Sequence, residues 1–192
     1  MKQNTAALDG SAVLQILPLP AEKYAGVEFS VSYKTEKYFD VLLLEDGFRL
    51  VEKIASPPLE KQFSDTLFGE WLEAPEVFGA FCGGELLGFV EGSRESWHSL
   101  YRISNVYVYP QHRKKGVGRA LLQHSIDHAR RQGKYRGVIL ETQTCNYAAI
   151  SLYKKLGFRL TRIDLNEYSN EDVKKAEVRI DLLLKFDEKG AE

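Results

Sequence analysis

Arg113, Lys114 and Lys115 stand directly before Gly116-Val117-Gly118, and a helical pattern begins at once. A helix start offers unpaired backbone N–H groups and the positive end of the macrodipole. Glycines let that backbone approach a ligand closely, and basic side chains add Coulomb attraction. The combination is an anion site, and phosphate is the anion it suits best. An ATP P-loop needs Lys-Ser/Thr after its second glycine, and Arg119-Ala120 stands there instead. A dinucleotide fold is a closer rival, since the loop follows a strand pattern and Glu141 ends the next one. Its third glycine position, however, holds Leu121. Coenzyme A is the third possibility.

Other residues that could do chemistry each have an ordinary structural alternative. Asn146 opens the following helix and is first of all a cap. Tyr153 shares the apolar side of that helix with Ala149, Leu152 and Leu156, so it reads as core or as a proton donor. Glu141 is a surface carboxylate at a strand end or an anchor for a cation. Glu91 and Glu95 are weaker candidates for the same task. Ser104 and Asn105 can hydrogen-bond an acceptor but are poor bases at neutral pH. His124 and His128 have the i,i+4 spacing of metal ligands, but without a third ligand they read as a solvated helix face. Trp71 and Trp97 read as core or rim residues, and Cys82 and Cys145 as small buried hydrophobes.

Placing these residues requires strands and helices in a definite order. "VEFSVSYK" alternates as a strand, with Val27, Phe29, Val31 and Tyr33 on one face. Asp46-Gly47 between two apolar runs predicts a hairpin. "ASPPLEKQF" reads as a loop, and "SDTLFGEWL" as a short helix capped by Ser64. Gly83-Gly84 joins two further strands. Leu100 to Tyr109 is a long strand, with Ile103, Asn105, Tyr107 and Tyr109 on one face and Ser104, Val106 and Val108 on the other. Gly116 to about Gln132 is an amphipathic helix, with Val117, Ala120, Leu121, Ile126 and Ala129 as its core side. A strand over Tyr135 to Thr142, a helix from Asn146 to Gly157 and two closing strands complete a mixed sheet with helices on its faces. Residues 1–22 read as a loosely ordered leader and 23–192 as one domain.

With 192 residues, 44% of them hydrophobic, the chain can bury a sizeable core. No apolar run is long enough to span a membrane and no signal peptide is evident, so a cytoplasmic location is expected. The net charge of −1 gives no sign of nucleic-acid binding. The charge is uneven: residues 1–100 carry 8 Lys+Arg and 16 Asp+Glu, and the remainder 18 and 11. This fits either a scattered solvated surface or a basic side for an anionic cofactor and an acidic side for a cationic substrate.

"VYPQHRKKGVGRAL" resembles the acyl-CoA signature of the GNAT acetyltransferase superfamily, Arg/Gln-x-x-Gly-x-Gly/Ala, through Arg113, Gly116 and Gly118. "ETQTCNYAAISLYKKLGF", about thirty residues on, resembles the second family signature. The resemblance implies an α/β fold with a mixed, mostly antiparallel sheet of six or seven strands, splayed at its fourth and fifth. It implies that Arg113, Lys114, Lys115, Gly116, Val117, Gly118, Arg119 and Ala120 cradle the pyrophosphate of acetyl-CoA. The backbone of Val106 and Val108 would pair with the pantetheine arm, with the side chain of Asn146 also in contact. Tyr153 would protonate the departing thiolate, and no metal is required.

"YFDVLLLEDG", "ILETQ" and "LNEYSNEDVKKAEVRIDLLL" are similar to streptothricin acetyltransferases, which acetylate a lysine-like amine. Such enzymes carry adjacent acidic residues on strand four, where this chain has Ser104 and Asn105. The implied function is N-acetylation of a primary amine on a small molecule, bound by Ser104, Asn105 and Glu141, with Glu141 assisting deprotonation. The alternatives are a peptide N-acetyltransferase and a non-catalytic acyl-CoA-binding module. A monomer or homodimer is expected.

Overall fold

The computed structural model describes residues 7–8 and 12–186. In chain order the elements are β1 (Ala7–Leu8), β2 (Ala12–Val13), β3 (Gln15–Pro18), α1 (Ala21–Tyr24), β4 (Glu28–Leu44), β5 (Gly47–Thr66), β6 (Glu73–Cys82) and β7 (Glu85–Glu95). They continue as β8 (Leu100–Val108), α2 (Val117–Arg131), β9 (Gly137–Gln143), α3 (Tyr147–Lys155), β10 (Arg159–Asp164), α4 (Asp172–Lys175) and β11 (Arg179–Lys185). They fall into two compact units, Met1–Phe29 with Ser64–Ile139 and Lys185–Glu192, and Ser30–Phe63 with Leu140–Leu184.

The first unit is built on four strands in the order β3-β6-β7-β8, and every neighbouring pair is antiparallel. Gly83 and Gly84, both at positive φ, make the β6–β7 turn as expected. β7 is buried along nearly its whole length, which is why it reads as a continuous apolar run. On one face Phe29, Phe89 and Tyr107 cluster with ring centroids 5.0–5.5 Å apart. On the other, α2 buries Val117, Leu121, Leu122, Ser125, Ile126 and Ala129, and His124 and His128 pack over Phe78. These histidines therefore do not form the solvated face expected of them; His128 Nε2 lies 3.0 Å from Glu76. Ala120, an expected core residue, is only partly covered, and Leu122 is fully buried in addition.

The leader expected over residues 1–22 is not loose where it is described. β3 pairs with β6, and Leu14 and Leu19 are buried. In the second unit β4 and β5 form a long two-stranded ribbon around the Asp46-Gly47 turn. "ASPPLEKQF" is strand rather than loop, because a two-stranded ribbon has an open edge on each strand and tolerates Pro57 and Pro58 there. Its other strands run in the order β9-β11-β10. β9 begins two residues later than Tyr135, and Tyr135 is buried before it. Trp71 and Trp97, expected in core or rim, are exposed. Cys145 is buried as expected and Cys82 partly so. Among the described residues no helix is long and apolar enough to cross a membrane.

Candidate active site

The loop after β8 has the geometry of an anion cradle. Lys114 and Gly116 adopt positive φ, +62° and +85°, which turns the chain sharply into α2. Gly116 is the residue before the helix, in a left-handed conformation that disfavours a side chain. No side chain caps α2 and its first turn holds no acid. A helix commonly meets these N–H groups with a capping side chain; here none does so, beside exposed Lys114, Lys115 and Arg119. Arg113 departs from a purely electrostatic role, because its Nε donates to the carbonyl oxygen of Val108 at 3.0 Å. It ties the loop to the end of β8. The residues present therefore suit the diphosphate of coenzyme A.

β8 itself is irregular where the chemistry is expected. Glu91 and Gly92 on β7 face Asn105 and Ile103 on β8, so β8 holds one extra residue, Ser104. This β-bulge inverts the alternation across it. Asn105 and Tyr107 share one face, but Ile103 turns to the side of Val106 and Val108, against the sequence expectation. Below the bulge Tyr101 lies against His128 of α2. The Ser104 hydroxyl is buried without a hydrogen-bond partner.

Asn105 sits in a network the sequence reading largely missed. Its Nδ2 donates to Glu91 Oε2 at 2.8 Å and to Asp65 Oδ2 at 3.0 Å. The second Glu91 oxygen accepts from the Phe68 N–H at 2.6 Å. Glu91 is fully buried and Asn105 is 9% exposed. Burial pushes the Glu91 carboxyl above its ordinary range, while the Asn105 and Phe68 hydrogen bonds oppose that rise. Residues 64–72 are not the expected helix: β5 runs on to Thr66, and Phe68, whose N–H donates to Glu91, stands at φ +59°. Asp65 was not a candidate from sequence. Glu91 was a weak one, although a glutamate inside the apolar run "LLGFVEG" is a usable signal, since glutamate is seldom buried without a reason. The other weak candidate, Glu95, pairs with Arg102.

The second unit holds the remaining candidates. Asn146 caps α3 as expected, its Oδ1 accepting from the Ala149 N–H at 3.4 Å while its Nδ2 donates to Thr142 at 3.1 Å. Tyr153 is buried on α3 beside Phe158, at a centroid distance of 6.1 Å. Burial pushes its phenol up to about 12, so it is fully protonated at neutral pH. Glu141 pairs with Arg179 at 2.8 Å, and Arg179 also meets Glu167 and Asp181. Its carboxylate is thus already engaged by a cation that it shares with two other acids. Among the described residues no group of His, Cys, Asp and Glu is arranged to hold a metal ion.

Known proteins share this architecture. A family profile described as the acetyltransferase (GNAT) family matches residues 45–158. The streptothricin acetyltransferase of Streptomyces lavendulae is 34% identical over 77% of this chain and 80% of its own. That of Escherichia coli is 32% identical over 81% of this chain and 86% of its own. A crystal structure of nourseothricin acetyltransferase superposes with a TM-score of 0.69 at 26% identity, covering 90% of this chain and 98% of that one. A putative streptothricin acetyltransferase from Bacillus anthracis, solved with acetyl coenzyme A, has the same fold, with a TM-score of 0.70 over 91% of this chain and 98% of its own. With a profile spanning more than half of its length and relatives matching over most of it, this chain belongs to the GNAT family of acetyltransferases.

Proposed function

We propose that this acetyltransferase moves the acetyl group of acetyl-CoA to a primary amine on a small cationic molecule of the streptothricin class. The observation that carries the reading is the uncapped start of α2 behind Gly116, without an acid in its first turn. Backbone N–H groups from Lys115 to Arg119 hold the pyrophosphate, with charge from Lys114, Lys115 and Arg119. The β8 backbone at Val106 and Val108 pairs with the pantetheine arm, and Asn146 adds a side-chain contact. The curated relatives are named for streptothricin acetylation across most of both chains, which supports that acceptor class. The buried free thiol of Cys145 suits a reducing, cytoplasmic compartment.

The reaction needs a neutral amine, a polarised thioester and a proton for the leaving sulfur. The amine nitrogen attacks the acetyl carbon, and the carbonyl π electrons move to oxygen. The oxygen electrons then re-form the carbonyl as the C–S bond breaks, and the electrons of that bond go to sulfur, which takes a proton from the Tyr153 hydroxyl. The new amide nitrogen gives its extra proton to base or solvent, and solvent restores the phenol. With its pKa pushed up to about 12, the phenol carries its proton throughout the neutral range and can lend it as thiolate charge develops. An ordinary thiol titrates near about 8.5, so the transfer is uphill and solvent completes it by reprotonating the phenol.

The test is thiol release from acetyl-CoA against a panel containing streptothricin, nourseothricin, lysine-ended peptides and peptides with free N-termini. Turnover of the antibiotics well above that of the peptides is expected. Faster acetylation of peptide N-termini would move the enzyme to the peptide class. Tight CoA binding with no amine turned over above hydrolysis would make it a binding module.

A further inference from the structure

We infer that Phe39 and Tyr147 are positioning residues for the transfer step: stacked on each other, they brace from the β4–β5 ribbon the helix that carries Tyr153. This rests on the acetyltransferase reading and on the role given there to Tyr153.

The first observation is the stack. Phe39 of β4 lies on Tyr147 of α3, with ring centroids 5.4 Å apart and planes 24° from parallel. Lys154 stands over the Phe39 ring at 4.3 Å, and Lys37 over the Tyr147 ring at 5.5 Å. Two rings thus lie between two ammonium groups, each of which is attracted to a π face. Tyr147 and Lys154 are seven residues apart, two turns along one face of the helix. Phe39 therefore wedges between the first and last turns of α3. Tyr147 directly follows Asn146, and Lys154 directly follows Tyr153. The wedge is next in the chain to both α3 residues assigned to acetyl-CoA, and is neither of them.

The second observation is how the same corner is tied. The Phe39 N–H donates to the Thr144 carbonyl at 3.0 Å, and the Thr144 N–H to the Val178 carbonyl at 3.0 Å. The Thr144 hydroxyl donates to the Ala176 carbonyl at 2.9 Å. The Tyr33 hydroxyl meets Cys145 Sγ at 3.4 Å. From β5, Glu52 accepts from the Tyr147 hydroxyl at 2.8 Å and from Lys37 at 2.6 Å. Both ribbon strands thus grip the turn from β9 into α3. A two-stranded ribbon is marginal by itself, so this contact seats the ribbon as well as the helix. The helix needs the seat: it has nine residues and buries two of them, Ile150 and Tyr153. A general acid must reach its acceptor within about 3 Å, so a small tilt of α3 is felt at the sulfur.

The experiment is a double-mutant cycle on the single-turnover rate of acetyl transfer from acetyl-CoA to the fastest acceptor of the panel. Phe39→Ala and Tyr147→Ala should each slow the parent about tenfold and leave CoA affinity within about threefold. In the Tyr153→Phe background each should cost less than about twofold, because no acid is left to misplace. Phe39→Tyr keeps the ring and should restore the parent rate. Lys34→Ala breaks an exposed pair with Glu60 elsewhere on the ribbon and should change nothing. Alanine is well tolerated in a helix, so Tyr147→Ala tests the idea even if Phe39→Ala folds poorly. Equal losses in both backgrounds would show general damage and overturn the proposal, as would parent-like rates in both alanine variants. The brace fails alone if Tyr153→Phe is slow and the cycle is additive. A parent-like Tyr153→Phe removes the acid and the brace together, and a parent that transfers no acetyl group contradicts the acetyltransferase reading itself.

Discussion

Two regions of the first unit carry opposite charge, and they are built from different materials. The Arg113–Ala120 loop offers backbone: a left-handed glycine, an uncapped helix and N–H groups that no acid competes for. The Asp65–Asn105–Glu91 network gathers two acids around an amide with side chains from three separate strands or strand ends. Backbone recognition is local and tolerates many neighbouring side chains, provided the glycines stay. A side-chain network is assembled over long range, and each member depends on the others. The two regions should therefore respond differently to the same insult, an added carboxylate.

Gly118→Asp is the largest expected effect. It places negative charge where phosphate must approach, so CoA affinity should fall by about a hundredfold or more. The fold should keep or gain stability, because an acid in the first turn of a helix complements the dipole. Calorimetry and thermal melting together check both signs. A folded variant with unchanged CoA affinity would break the loop assignment.

Tyr153→Phe comes next. Removing the hydroxyl while keeping the ring should lower kcat by about 10²-fold, the low end for a placed general acid, since solvent partly substitutes. Acetyl-CoA affinity should change little. A parent-like rate, with chemistry shown to be rate-limiting, would return Tyr153 to the core.

The counterpart of Gly118→Asp is Asn105→Asp. It removes both donors that tie the carboxylates together and adds a third acid. The fold should lose about 1–3 kcal/mol at pH 8, the usual cost of stranding buried acceptors, with recovery as the pH falls and the acids protonate. Denaturant titration at two pH values reads this. Stability that is unchanged or raised would mean the network carries no strain.

The alkaline limb carries a smaller effect. Burial raises the Tyr153 phenol from 10.0 to about 12. The stability it contributes is present below pH 10 and is lost as pH rises through 12, an effect on the order of 2 kcal/mol. Tyr153→Phe should flatten that part of the parent curve while Tyr33, Tyr101 and Tyr168 continue to titrate in both. The smallest effect belongs to Glu141→Gln, whose carboxylate is already paired with Arg179. It should alter the amine KM by less than about threefold.

The same contrast explains what was legible in the sequence. The loop lies in one stretch of chain, so Gly116, Gly118 and the basic run announce it. The Asn146 cap and the Gly157-Phe158 stop are equally local, and α3 follows as expected. The network is not local. Ser64-Asp65 resembles a helix cap, and only the bond from Glu91 to the Phe68 N–H, 23 residues away in sequence, shows why no helix forms. The bulge at Ser104 leaves no mark on an alternating pattern; it appears only as a mismatch in register with β7. Glu91 was visible as one charge in an apolar strand, but its partners were not.

The most direct test of the account combines the parent enzyme with acetyl-CoA and streptothricin, following thiol release and the mass of the antibiotic in one reaction. The account predicts one thiol released for each antibiotic acetylated on a primary amine, and neither event with Gly118→Asp. Thiol release without an acetylated amine, or a parent that binds CoA yet leaves the antibiotic unmodified, would contradict it.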